Sequence, residues 1–212
     1  MKLTLVSDTH KEDITKLGIP EDTDVLIHAG DFSYNGTFKC LQDHLNALQT
    51  CPGTHKLFIS GNHDFICQSL GYKEVARLAN TYGVTYLQDT AIMIDGVKFY
   101  GSPWTPEFYA WAFMLKNGNE MAKKWLTIPR DVDVLITHGP PHGILDQLLN
   151  GQSCGCEELT RCFLDIKPKV HVFGHVHNGY GAIHIDNTTF INSSIMNEHY
   201  YPVNKIQTHI LH

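Results

Sequence analysis

Five apolar runs in this chain each close on residues that bind hard or borderline metal ions. LTLVSD ends at Asp8 and leads into Thr9 and His10. VLIHAGD ends at Asp31. LFISGNHD carries Asn62, His63 and Asp64. VLITH ends at His138, and VHVFGHVH carries His175 and His177. Each run reads as a buried strand. In open α/β sheets, ligands bind outside the carboxyl ends of the strands. Five strands that all deliver Asp, Asn or His at that end therefore predict one shared site. The donors are oxygen and nitrogen, with no thiolate. That set suits Mn, Fe or Zn ions in a hydrolytic centre rather than a Cys-rich structural zinc site.

The chain has 212 residues, of which 42% are hydrophobic, enough for one core; we expect a single domain over residues 1–212. The formal net charge is -6, and no long basic run occurs. Bulk charge thus disfavours a duplex-binding surface, and no stable nucleic-acid partner is expected. The six Cys lack the paired spacing of a zinc module, and a disulfide framework is not expected at this size. Met1-Lys2 runs straight into a predicted strand, and no apolar stretch approaches the ~20 residues of a membrane span. A cytoplasmic location is the expectation, with no membrane partner.

Periodicity places strands at 3–7, 24–29, 56–60, 132–137 and 169–173, and a last strand at 204–211. Helices are predicted at 37–49, 72–82, 118–126 and 156–166. The alternation of strands and helices in the first half predicts parallel pairing. AIMID with VKFYG, and AIHID with TFINS, read as hairpins. Between them, 102–116 reads as an aromatic loop carrying Trp104, Phe108, Tyr109, Trp111 and Phe113.

Taken singly, most of these motifs have a plain structural reading. Asp8-Thr9-His10 places a carboxylate and an imidazole in one turn, where both can reach one metal, but a turn or cap Asp looks the same. His175-Val176-His177 puts two imidazoles on one side of an extended segment, as ligands or as a polar rim. Gly61-Asn62-His63-Asp64 is more specific. The glycine permits a sharp turn, Asn offers a neutral oxygen, and His63 is left for proton transfer with Asp64 able to orient it. Their joint occurrence, in this order and each after a buried strand, is what points to a metal centre.

That ordered set resembles the calcineurin-like metallophosphoesterase superfamily. It resembles more closely the small metallophosphoesterase-domain-containing proteins of animal brain and of microbes. The residues that carry the closer likeness include Tyr86-Leu87-Gln88-Asp89, Tyr100-Gly101-Ser102-Pro103-Trp104-Thr105-Pro106, Thr137-His138-Gly139-Pro140-Pro141, Gly155-Cys156 and the run from His171 to Gly181. There is one departure. The animal branch has Gly where this chain has His175, and so lacks one ligand that is present here.

The resemblance implies an α/β fold of two mixed β-sheets packed as a sandwich and flanked by helices. It implies two divalent metal ions, Mn foremost, with Fe, Zn, Co or Ni as alternatives. One ion would take Asp8, His10, Asp31 and His177; the other Asp31, Asn62, His138 and His175. Asp31 would bridge them, with a shared hydroxide as nucleophile. His63 would protonate the leaving group, oriented by Asp64. Asn62 and His63 would also contact substrate. His142 and Trp104 are weaker substrate-contact candidates, Trp104 (or Phe108) as a stacking surface for a nucleobase. The expected activity is hydrolysis of small phosphodiesters, 2′,3′- or 3′,5′-cyclic nucleotides among them. The alternatives are a phosphomonoesterase, a nuclease, or a nucleotide-binding scaffold with little activity.

Overall fold

The computed structural model describes all 212 residues, Met1–His212. Two sheets carry the molecule. The first is built from β1 (Lys2–Val6), β2 (Val25–His28), β3 (His55–Phe58) and β4 (Thr85–Tyr86), all parallel, with β13 (Gln207–Ile210) antiparallel on the β1 edge. The second has the order β11-β12-β10-β9-β6-β5. Its strands are β5 (Thr90–Ile94), β6 (Val97–Ser102), β9 (Val134–Thr137), β10 (Val170–Phe173), β11 (Gly181–Ile185) and β12 (Thr188–Asn192). Both predicted hairpins form, β5 with β6 and β11 with β12, while β6, β9, β10 and β12 run parallel.

Strand periodicity sets the layers. Leu3, Leu5, Val25, Ile27 and Leu57 from the first sheet meet Phe99, Val134, Ile136, Val170 and Val172 from the second in the inter-sheet core. The alternate residues face outward and are covered by helices, which is why these strands are apolar throughout. Leu26 and Phe58 pack with Leu41, Leu45 and Leu48 of α1 (Phe38–Thr50) and with Val75 and Ala79 of α3 (Tyr72–Thr81). Tyr100 and Leu135 pack with Met121 and Trp125 of α4 (Asn119–Trp125) and Leu159 of α5 (Glu157–Cys162). The mixed two-sheet sandwich expected from the sequence is the observed architecture.

Several boundaries differ from the periodicity. The predicted helix 156–166 is regular only to Cys162. Beyond it, Leu164 and Asp165 bond three residues back, to Arg161 and Cys162, and Pro168 follows before the helix could resume. A short helix, α2 (Phe65–Leu70), precedes α3 and is separated from it by Gly71 at φ 78°. The aromatic segment holds a two-residue pairing, β7 (Thr105–Pro106) with β8 (Met114–Leu115). The last strand is confined to Gln207–Ile210.

Candidate metal centre

Because β1, β2, β3, β9 and β10 are parallel within their sheets, their carboxyl ends lie along one edge of the sandwich. The loops there bond to one another. Asp8 N donates to Gly30 O at 2.9 Å, His10 N to Asp31 O at 3.0 Å and Gly174 N to His138 O at 2.9 Å. The turns that carry these candidate donors are conformationally unusual. Asp8, His10, Asp31 and His175 all adopt positive φ, at 54°, 43°, 58° and 68°. Each such non-glycine residue costs on the order of 1 kcal/mol and persists only where surrounding contacts hold it. Gly61 and Gly174 allow the close approach: a Cβ at Gly61 would collide with the Asp31 carboxylate, and one at Gly174 with that of Asp8.

Three groups of donor atoms converge: Asp8, His10 and His177; Asp31, His138 and His175; and His10, Asp31 and His63. Asp31 lies at the centre. Its Oδ2 is 3.3 Å from His138 Nε2, 3.9 Å from His10 Nε2 and 4.0 Å from His63 Nε2. Four of the imidazoles are aimed in the same way, by a backbone carbonyl that accepts from Nδ1. These carbonyls are Ala29 for His138 (2.9 Å), Asn197 for His177 (2.9 Å), Ser33 for His10 (3.2 Å) and Tyr34 for His63 (2.8 Å). Fixing the tautomer by the distal nitrogen leaves the Nε2 lone pair for a cation.

The donor set fits a metal. His138 Nε2 faces Asn62 Oδ1 at 3.0 Å as well as Asp31, so three acceptors meet at one point. His10 Nε2 is buried with no hydrogen-bond partner. Without an ion, a proton must take its place. Although burial opposes the charge, the Asp31 carboxylate lifts His138 to about 9, and Asp8, 3.5 Å from Nε2, lifts His177 to about 9. Against the opposing cost of burial, these imidazoles hold Asp8 and Asp31 below the usual carboxylate range. Burial keeps His175 neutral, pulling it down to about 3.

The sequence profile described as calcineurin-like phosphoesterase matches residues 1–179. The chain belongs to the calcineurin-like phosphoesterase family. It is 38% identical over 225 residues to human metallophosphoesterase domain-containing protein 1, covering 96% of this chain and 68% of that one. It is 37% identical over 221 residues to the UPF0046 protein K07C11.7 of Caenorhabditis elegans, covering 98% and 73%. A solved structure, TT1561 of Thermus thermophilus, superposes with a TM-score of 0.60 at 13% identity, over 90% of this chain and 88% of that one, a likeness of fold. A calcineurin-like phosphoesterase is a hydrolase of phosphoesters, and the His/Asp cluster suits divalent metal.

In this calcineurin-like phosphoesterase the cluster forms the floor of a cleft of about 730 Å³, which Asn62, His63, His175 and His177 line together with Phe108, Tyr109, Trp111 and Tyr200. Two residues are placed differently from the sequence expectation, and His142 sits to one side. Asp64 does not orient His63; the Tyr34 carbonyl does. The buried Asp64 carboxylate instead accepts from Gly61 N (2.8 Å), Asp31 N (2.9 Å), Ser33 N (3.2 Å) and Ser33 Oγ (2.9 Å), and so shapes the turn that carries Asp31. Trp104 does not face the cleft. Its Nε1 donates to Asp89 at 2.9 Å, Lys124 lies over its ring, and Phe113 packs against it; Trp111 lines the cleft instead, 4.3 Å from the His63 ring. His142 is half exposed, 3.7 Å from Asp146, and lines an adjoining hollow rather than the cleft over the cluster.

Residues outside the motifs support the cluster. His28 links the turns that carry Asp8 and Asp31: its Nε2 donates to Thr9 Oγ1 at 3.0 Å, and its Nδ1 accepts from Gly30 N at 3.3 Å. Ser194 Oγ donates to Asp8 at 2.7 Å. Tyr200, at φ 60°, sets its ring 4.8 Å from His10 and 5.3 Å from His177. His28 sits inside the second apolar run, where a lone polar residue was the available signal; Ser194 and Tyr200 have no motif.

Proposed function

We propose that this chain hydrolyses small phosphodiesters, cyclic mononucleotides among them, with a dinuclear metal centre of which Mn is the best fit. The observation that carries this reading is a single carboxylate, Asp31, whose Oδ2 lies 3.3 Å from His138 Nε2 and 3.9 Å from His10 Nε2, at the floor of an open aromatic cleft. Asp8, His10, Asp31 and His177 would hold one ion; Asp31, Asn62, His138 and His175 would hold the other. When bound, two such ions supply an activated water and neutralise charge developing on the phosphoryl oxygens.

The chain's own residues supply the rest. His63 is the imidazole of the cluster not needed by either ligand set. Its Nδ1–H is held by Tyr34, so as an imidazolium it can pass the Nε2 proton to a leaving ester oxygen and stay anchored. The Trp111 ring packs against that imidazole, 4.3 Å between centroids. Phe108 and Tyr109 give exposed flat surfaces on which a base or other planar substituent can rest. No helix is long and apolar enough to cross a membrane. A net charge of -6 disfavours a polyanionic partner, so we assign the cleft to small molecules of the cytoplasm rather than to nucleic acid.

The test is turnover after chelation and reconstitution with Mn²⁺, using bis(p-nitrophenyl) phosphate, p-nitrophenyl phosphate, 2′,3′- and 3′,5′-cyclic nucleotides, and DNA. Diester turnover above monoester, with cyclic nucleotides preferred over DNA, supports the proposal. Monoester preference would make the protein a phosphatase, DNA preference a nuclease, and no turnover a binding scaffold.

A further inference from the structure

The cleft is unusual in its charge. Phosphate sites commonly recruit Arg or Lys to pair with the oxygens left free by the metal ions. No Lys or Arg lines this cleft, whereas Glu107 and Glu198 do. Past Pro106, Asn117 and Cys154 the cleft continues into a hollow of about 320 Å³, lined by His142, Glu157 and Glu158 and again by no Lys or Arg. The two rim carboxylates stand on separate elements. Glu107 is exposed on the β7–β8 pairing, where its N–H donates to Leu115 O at 2.8 Å. Glu198 follows the His177-binding turn, and its Oε1 accepts from Asn178 N at 2.9 Å.

Two divalent ions would carry four positive charges. Asp8 and Asp31 cancel two, and Glu107 and Glu198 cancel the other two. A hydroxide between the ions and an imidazolium at His63 would offset each other, so the filled cleft is close to neutral before substrate enters. A phosphodiester brings one negative charge, but a phosphomonoester brings nearly two at neutral pH. The second charge would lie in a cleft with carboxylates on its lining and no Lys or Arg to meet it.

We propose that Glu107 and Glu198 act as a charge filter: they exclude phosphate dianions and polyphosphates, and they admit singly charged diesters whose substituents are neutral or cationic. The inference rests on the phosphoesterase reading and deepens it, because it makes diester preference a property of two named residues outside the metal ligands. The aromatic surfaces of Phe108 and Tyr109 beside Glu107 suit such substituents, including cationic ones.

The experiment compares E107Q, E198Q and the double variant with the unaltered protein, all reconstituted with Mn²⁺. Glutamine keeps the Oε1 acceptor that Asn178 uses, so the Glu198 turn retains its hydrogen bond. Two readouts are taken. The first is the ratio of kcat/KM for p-nitrophenyl phosphate to that for bis(p-nitrophenyl) phosphate, which share one leaving group and differ in charge. The second is the calorimetric Kd for inorganic phosphate, which needs no turnover. Each substitution should raise the ratio and tighten phosphate binding, on the order of threefold to tenfold, and E107K should exceed E107Q. Salt at ~1 M should shrink the difference. A ratio and a Kd that stay within about twofold in the double variant and in E107K would overturn the filter while leaving the phosphoesterase reading intact. If the unaltered protein turned over neither ester, that reading would fall, and the phosphate Kd series would still decide the filter.

Discussion

The backbone N–H of His175 donates to both carboxylate oxygens of Asp8, at 3.1 and 3.0 Å, while the His175 ring lies 5.0 Å from that of His138. One residue thus supports the first donor group through its main chain and completes the second through its side chain. His175→Gly separates the two roles. It keeps the N–H, removes the imidazole, and places at φ 68° the residue that adopts this conformation without strain. Bound Mn²⁺ should fall from two ions to one per chain, with higher Mn²⁺ partly restoring activity. The metal-free unfolding midpoint should stay within about 4 °C. Elemental analysis together with a thermal scan checks both halves, and an unchanged metal titration would remove His175 from the ligand set.

His63 also lies within reach of Asp31, and geometry alone would allow it to serve as a ligand. The general-acid assignment makes a different prediction. His63→Ala should keep both ions and lose roughly 10²–10⁴-fold in rate for alkoxide leaving groups, and much less for nitrophenolate, which needs little protonation. Equal losses for both leaving groups, or a lost ion, would contradict it.

The converging donor residues were legible because each ends an apolar run, and parallel strands bring such ends together. The groups that aim them were not. Ala29, Ser33, Tyr34 and Asn197 act through their carbonyls, which any side chain supplies equally. Asp64 looked like a partner of its neighbour His63, yet the turn carries its carboxylate inward to four donors on other residues, a contact set by three-dimensional closure. Trp104 and Trp111 belong to one aromatic segment without periodicity. Which one faces the cleft is decided by the β7–β8 pairing and by Asp89, which claims the Trp104 indole.

That exchange of tryptophans has a measurable consequence. Trp104→Ala should act on stability, costing about 3 kcal/mol through lost packing and an Asp89 deprived of a donor. Trp111→Ala should leave most of the stability and raise the KM for nucleotide diesters about fivefold or more. Thermal unfolding and steady-state kinetics on the two variants separate the roles; a nucleotide-specific KM effect at Trp104 would reverse them.

The buried imidazoles set a pH dependence for the metal-free protein. Burial holds His28 and His171 down at about 3, so they are neutral when folded, whereas the unfolded chain protonates them below ~6.5. Stability should therefore fall as the pH drops from ~6.5 towards ~3, with Asp8 and Asp31 adding to the loss at the acid end. In the other direction, burial opposes the charge on His138 and His177, but their carboxylate partners raise both to about 9. The folded state then holds protons that the unfolded state releases, and stability should fall again between ~6.5 and ~9. The unfolding midpoint in chelator should peak near pH ~6.5. Saturating Mn²⁺ should reverse the alkaline decline, because metal replaces those protons and binds more tightly as they leave. An alkaline decline of the same size with Mn²⁺ as with chelator would show that the ion does not take the His138 and His177 positions.

The most direct measurement is anomalous diffraction from crystals grown with Mn²⁺. Two peaks are expected, ~3.5–4 Å apart, both in contact with the Asp31 carboxylate. One should be completed by Asp8, His10 and His177, and the other by Asn62, His138 and His175. A single peak, or a second peak that does not touch Asp31, would contradict a dinuclear centre bridged by that residue.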